Sequence, residues 1–126
     1  MSAPIILVAD DSRTIRTQVS RILLEAGYEV REAADGAEAV ASLSAECPAV
    51  AILDIKMPGI DGYGVCQQLQ EMGAPWDRLP IIFLTSESSH ALEMLGQELG
   101  AYLRKPVSSE LVLSTVASMA QEELCS

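Results

Sequence analysis

Five polar side chains in this chain each stand at the end of a short apolar run. Asp10 and Asp11 follow IILVA, Asp54 follows AVAIL, Thr85 follows IIFL and Lys105 follows AYLR. Brought to one place, they would suit a divalent cation together with a phosphoryl group. Three crowded carboxylates repel one another, a cost that a hard, oxygen-seeking ion such as Mg2+ removes. A carboxylate is also a nucleophile that can form an aspartyl phosphate, whose added negative charge calls for the metal, an ammonium such as Lys105 and a hydroxyl donor such as Thr85. Taken singly, each residue has a plainer explanation: an Asp ending a strand often caps the next helix, and a Lys before Pro is usually a solvated loop residue. Five such residues at equivalent positions, in the order acid pair, acid, hydroxyl, lysine, argue against separate accidents.

What could bring them together is the pattern of the surrounding chain. The runs at Ile5 to Ala9, Tyr28 to Ala33, Ala49 to Leu53, Ile81 to Leu84 and Ala101 to Arg104 have strand length and are partly β-branched. Between them Ile15, Val19, Ile22 and Ala26 recur at helical spacing, as do Ala37, Val40 and Ala41, then Val65, Leu69 and Met72, then Leu92, Leu95 and Leu99. A last helix carries Val112, Val116 and Met119. Ser12, Ser88 and Ser108 stand where N-caps belong, and Gly27, Gly73 and Gly100 stand where helices should stop. Regular alternation of strand and helix specifies a parallel sheet with right-handed crossovers. The fold class is therefore α/β, a doubly wound (βα)5 sandwich with helices on both faces of a five-stranded parallel sheet. Ligands of such sheets bind outside the carboxyl ends of the strands, which is where all five polar residues fall.

Size and charge narrow the partners. A chain of 126 residues, 49% hydrophobic, is one ordinary domain, residues 1–126, able to bury a real core. Eight Lys and Arg against eighteen Asp and Glu give −10, so nucleic acid and anionic lipid are repelled. The start, MSAPIILVADD, has no basic lead, and IILVA is too short for a signal sequence or a membrane span, which indicates a soluble cytoplasmic protein. Cys47, Cys66 and Cys125 are widely spaced with no CxxC pair, as free packing thiols would be. His90 is the only histidine, and the plain reading is a surface residue on a helix.

The segments VADDSRTIR, LDIKMPGIDG, IIFLTS and YLRKPV, in this order and across nearly the whole chain, resemble the signature segments of two-component response-regulator receiver domains. The resemblance implies the flavodoxin-like sheet order 2-1-3-4-5. It implies that Asp54 is the phosphoacceptor, that Asp11 is a direct Mg2+ ligand and Asp10 a water-mediated one, and that the backbone carbonyl of Lys56 completes the protein's ligands; Mn2+ can stand in for Mg2+. Thr85 and Lys105 would then contact the phosphoryl oxygens and Tyr102 would be the aromatic that changes rotamer. By the same resemblance Lys56 and Glu87 tune the lifetime of the phosphorylated form, an opposite-charge pair at the mouth of the site. The donor would be a histidine kinase or a histidine phosphotransfer protein, docking over Arg13, Arg16 and Arg21 of the first helix, and the output a downstream protein target. The Lys105–Pro106 peptide bond is expected cis.

The chain departs from relatives at Gly100-Ala101-Tyr102, which lacks the usual pair of polar residues before the aromatic and so bears on the course of strand five and the swing of Tyr102. Three other activities could use a similar set of residues. A Mg-dependent phosphatase with an aspartyl nucleophile, of the haloacid-dehalogenase type, places its second acid two residues after the first, whereas Asp10 and Asp11 are adjacent. A flavin carrier of the same architecture needs a hydroxyl- and glycine-rich loop after strand one, where two carboxylates stand. A degenerate receiver, acting as an interaction module without phosphorylation, would not need the intact set of five.

Overall fold

The computed structural model describes residues 3–85, 101–104 and 108–125. Its elements run β1 (Ile5–Ala9), α1 (Arg13–Glu25), β2 (Glu29–Ala33), α2 (Gly36–Ala45), β3 (Val50–Asp54), α3 (Gly62–Met72), a single 3-10 turn (Trp76–Arg78), β4 (Ile81–Thr85), β5 (Ala101–Arg104) and α4 (Ser109–Cys125). The strands pair in parallel in the order β2-β1-β3-β4-β5. The helix expected around Leu92, Leu95 and Leu99, with its Ser88 cap, His90 and Gly100, lies outside the described residues, as does the Lys105–Pro106 bond.

Strand residues alternate between two cores, as the two-residue period requires. Ile6 and Val8 of β1, Val50 and Ile52 of β3 and Ile82 and Leu84 of β4 pack against Val19 and Leu23 of α1 and Val112 and Val116 of α4. Leu7, Ala51, Leu53, Ile81 and Phe83 face the other way, toward Ala39 and Leu43 of α2 and Val65 and Leu69 of α3. Every residue of β3 and β4 is buried, which is why these strands read as unbroken apolar runs rather than as alternations. Fully burying each Ile or Leu there contributes roughly 1.5–3 kcal/mol. Strand β2 is an edge and is mostly charged, with Arg31 paired to Glu29 at 3.3 Å and to Glu46 at 3.7 Å. Such charges discourage edge-to-edge association.

Two strands reach one residue further than their apolar runs suggest. Asp54 pairs in register with Leu84, and Thr85 with Arg104, so both candidate residues belong to the ladder itself. A backbone ladder needs amides and carbonyls, not apolar side chains, and the Ile55 amide extends it by donating to the Leu84 carbonyl at 3.0 Å.

The helix starts are built as the sequence suggests at Ser12, whose hydroxyl accepts from the Ile15 amide at 3.4 Å, and at Ser108, which accepts from Leu111 at 3.4 Å. Asp35 and Asp61 do the same for α2 and α3, accepting from Glu38 at 2.8 Å and Gly64 at 2.7 Å. The chain leaves α3 at Gly73, whose φ of +77° only glycine adopts freely. The 3-10 turn that follows sits at the strand-start edge of the sheet, where the Trp76 indole donates to the Leu43 carbonyl at 2.7 Å.

Cys47 and Cys66 are free thiols, and Cys66 is buried where α3 meets the sheet. Burial, reinforced by the nearby Asp61 carboxylate, pushes its thiol up to about 12 from 9.0. In the unfolded chain it ionises near 9.0, so the stabilisation by the protonated buried thiol is complete below that pH and is lost as pH rises toward 12. The loss proceeds at up to about 1.4 kcal/mol per pH unit. Urea midpoints measured at about pH 8 and about pH 10.5 should therefore fall more steeply for the wild type than for Cys66→Ala; parallel declines would contradict this placement of the thiol.

Candidate metal centre

The site forms where β1 and β3, side by side in the sheet, come to their carboxyl ends. Ala9 lies opposite Leu53, so the next residues, Asp10 and Asp54, emerge at the same level. One carboxylate oxygen from each of Asp10, Asp11 and Asp54 lies within 4.8 Å of the others. Asp10 and Asp54 are buried and Asp11 is exposed, so the cluster opens to solvent on the Asp11 side.

Two unit charges 4.8 Å apart repel by about 3–4 kcal/mol at an effective dielectric constant of ~20. Three ionised carboxylates in such a space therefore favour a compact cation strongly. The donors are all hard oxygens at the spacing a small divalent ion spans, which fits Mg2+ and not a thiolate- or imidazole-seeking metal.

Asp10 is held on three sides. Its amide donates to the Ala33 carbonyl of β2 at 3.1 Å, its Oδ1 accepts from the Ser12 amide at 2.8 Å, and its carbonyl accepts from Arg16 Nη1 at 2.7 Å. Ser12 in turn caps α1, so one short turn both aims the acid pair and starts the helix.

After Asp54 the chain turns back on itself. The Gly62 amide donates to the Ile55 carbonyl at 3.0 Å, and a Cβ on Gly62 would lie 2.7 Å from the Asp54 carbonyl oxygen. Only glycine lets α3 begin so close behind the acid. Within the loop Ile55 and Met57 are buried while Lys56 and Pro58 are exposed, and Gly59 takes φ +76°. Asp11, Lys56, Asp61 and Tyr63 line an open depression beside the carboxylates.

The far side of the loop is seated on α2, because a Cβ on Gly36 would run into the carbonyl of Ile60. Gly36→Ala should therefore force the loop to move, lowering stability by about 1–3 kcal/mol and weakening Mg2+ binding through the displaced Lys56 segment. Urea unfolding with a parallel Mg2+ titration checks this, and a variant unchanged in both would contradict the seating.

Of the residues singled out by sequence, Asp10, Asp11 and Asp54 are brought together, and Thr85 is buried at the end of β4 on the same sheet edge. Lys56 stands beside Asp11 in the depression. Tyr102 lies in β5 opposite Phe83, its side chain outside what the structure describes. Lys105 and Glu87 lie outside the described residues. The packing roles of Gly36 and Gly62 are not visible in the sequence, because their partners, a backbone carbonyl in each case, are set by the fold. Arg16 was legible only as one of three arginines on a helix, although its side chain is 16% exposed and turned toward Asp10.

Comparison with known proteins agrees with this geometry. The family model of the response regulator receiver domain matches residues 6–117. The response regulator MprA of Mycobacterium avium is 39% identical over 116 residues, 90% of this chain and 50% of MprA; the chain thus spans about half the length of the curated relatives it matches. The chemotaxis protein CheY4 of Vibrio cholerae superposes with a TM-score of 0.85 at 35% identity, covering 94% of this chain and 99% of CheY4. The receiver domain of a histidine kinase from Syntrophus aciditrophicus gives 0.83 at 32% identity, covering 95% and 92%. A sheet order, an acid cluster at its carboxyl edge and sequence relatives over nine-tenths of the chain lead to one family, and this chain belongs to the response regulator receiver domains of two-component signalling.

Proposed function

We propose that the chain, residues 1–126 as a single receiver domain, takes a phosphoryl group onto Asp54 and thereby changes the surface it offers to a partner protein. The observation that carries this reading is the placement of the Asp54 carboxylate, buried at a strand end, within 4.8 Å of two further carboxylates. Asp10, Asp11, Asp54 and the Lys56 carbonyl would hold Mg2+, or Mn2+ in its stead. Held by those residues, the ion would offset the carboxylate charges and draw charge from the phosphoryl oxygens.

An Asp54 carboxylate oxygen attacks phosphorus, the bond from phosphorus to the donor's imidazole nitrogen breaks with its electron pair staying on nitrogen, and an acyl phosphate remains. Thr85 and Lys105 bind the phosphoryl oxygens, and movement of the Thr85 hydroxyl toward them opens space for a change of Tyr102 rotamer. Water later attacks phosphorus, inorganic phosphate leaves and the carboxylate returns; Lys56 and Glu87 set how readily that water enters. The chain is a stoichiometric switch that catalyses its own loading and unloading rather than an enzyme with a separate substrate. The donor is a histidine kinase or a histidine phosphotransfer protein and the recipient a downstream protein, in the cytoplasm. No helix among the described residues is long and apolar enough to cross a membrane, and the net charge of −10 disfavours direct contact with nucleic acid.

The test is intact mass after incubation with Mg2+ and a small phosphodonor. One phosphoryl equivalent per chain is expected, dependent on Mg2+. No gain would leave the degenerate interaction module as the better account.

A further inference from the structure

The net charge is −10, yet α1 carries Arg13, Arg16 and Arg21 within three turns. Arg13 and Arg21 are exposed, whereas the Arg16 side chain is 16% exposed and committed at both ends of its fork. Nη1 donates to the Asp10 carbonyl at 2.7 Å, and Nε pairs with Glu32 Oε1 of β2 at 3.1 Å. The geometry assigns Arg16 to the metal loop: we propose that it is a positioning residue that ties the acid pair to β2, with Glu32 fixing the orientation of its guanidinium. This rests on the reading of Asp10 and Asp11 as the metal-holding pair.

The need for such a tie follows from the ladder. The Asp10 amide still pairs with Ala33, the last residue of β2, and just past that strand end the Asp10 carbonyl accepts from the Arg16 side chain. Without that donor the peptide plane between Asp10 and Asp11 would turn more freely, and both carboxylates would move with it. Arg16 stands one turn into α1, its amide bonded to the Ser12 carbonyl, so the helix that Ser12 caps also carries the donor that closes the loop. A planar guanidinium with several donors can hold a carbonyl and a carboxylate at once, which a lysine ammonium on its flexible stem does poorly. The link costs docking surface, since a fork engaged on both sides is not free to meet a partner. Arg13 and Arg21 remain for that.

The experiment compares wild type with Arg16→Gln, Arg16→Lys, Glu32→Gln and, as a control, Arg13→Gln. Amide hydrogen exchange is followed first in metal-free protein. Arg16→Gln should speed exchange of the Asp10 and Ser12 amides by about tenfold while the core amides of β3 keep their protection. Arg16→Lys should recover only part of that protection, and Glu32→Gln should fall between. Mg2+ titration should then show affinity lowered about tenfold in Arg16→Gln, the range for partners that orient metal ligands, and unchanged in Arg13→Gln. Unaltered loop exchange in Arg16→Gln would overturn the proposal, as would loosening of loop and core amides alike, which would mark a general structural role. Because the exchange comparison needs no metal, it decides the tether even if the wild type failed to bind Mg2+, a result that would count against the metal reading instead.

Discussion

Asp54→Asn should abolish phosphoryl uptake while leaving the fold intact or slightly more stable. The amide that replaces the carboxylate has the same shape and keeps one oxygen acceptor, but it lacks the anionic oxygen that would attack phosphorus. The side chain is buried at the end of β3, so the isosteric change creates no cavity. Removing one of three like charges held within 4.8 Å also relieves repulsion of up to about 3–4 kcal/mol per ionised pair, much of it already screened by solvent on the open Asp11 side. Intact mass and urea unfolding on the same preparation give both halves of the result. Labelling equal to wild type would mean that another group is the acceptor, and a grossly destabilised variant would mean that the Asp54 carboxylate serves the fold.

Removal of the acid pair should weaken metal binding unequally. Asp11 is exposed on the open side of the cluster, whereas Asp10 is fully buried and has its Oδ1 engaged by the Ser12 amide at 2.8 Å. On the proposed reading Asp11 would therefore be the freer ligand, and Asp10 would act more by holding the turn and adding charge. Asp11→Asn should lower Mg2+ affinity by about a hundredfold and Asp10→Asn by about tenfold, the upper and lower ends of the range for groups that hold or orient a metal. The asparagine variants keep an oxygen acceptor, so the turn survives and the comparison reads charge. Titration calorimetry giving the reverse order would show that the buried acid is the direct ligand.

Much of this site was legible before any coordinate, and for a physical reason. Strands buried on both faces, such as β3 and β4, must be written as apolar runs, and where such a run stops the sheet edge is near; Asp54 and Thr85 mark those stops. Capping is equally local, since Ser12 and Ser108 need only a backbone amide three residues on. What could not be read depends on partners far along the chain. Gly36 and Gly62 look like ordinary loop glycines until α2 and the Asp54 loop are seen in contact. Arg16 looks like a solvated helix residue until β2 brings Glu32 beside it, sixteen residues away. The extension of two strands by one residue had the same origin, because ladder pairing with Leu84 and Arg104 is decided by the neighbouring strand rather than by the side chain that continues it.

The central claim is that Asp54 is the acceptor, and trapping the acyl phosphate tests it most directly. Borohydride reduces such a mixed anhydride to the alcohol, releasing phosphate and leaving a homoserine where the aspartate stood. The wild-type protein, loaded with a small phosphodonor and Mg2+, reduced and digested, should carry that homoserine at position 54 and at neither Asp10 nor Asp11. A homoserine at position 10 or 11, or none in protein that has gained a phosphoryl group by intact mass, would contradict the account.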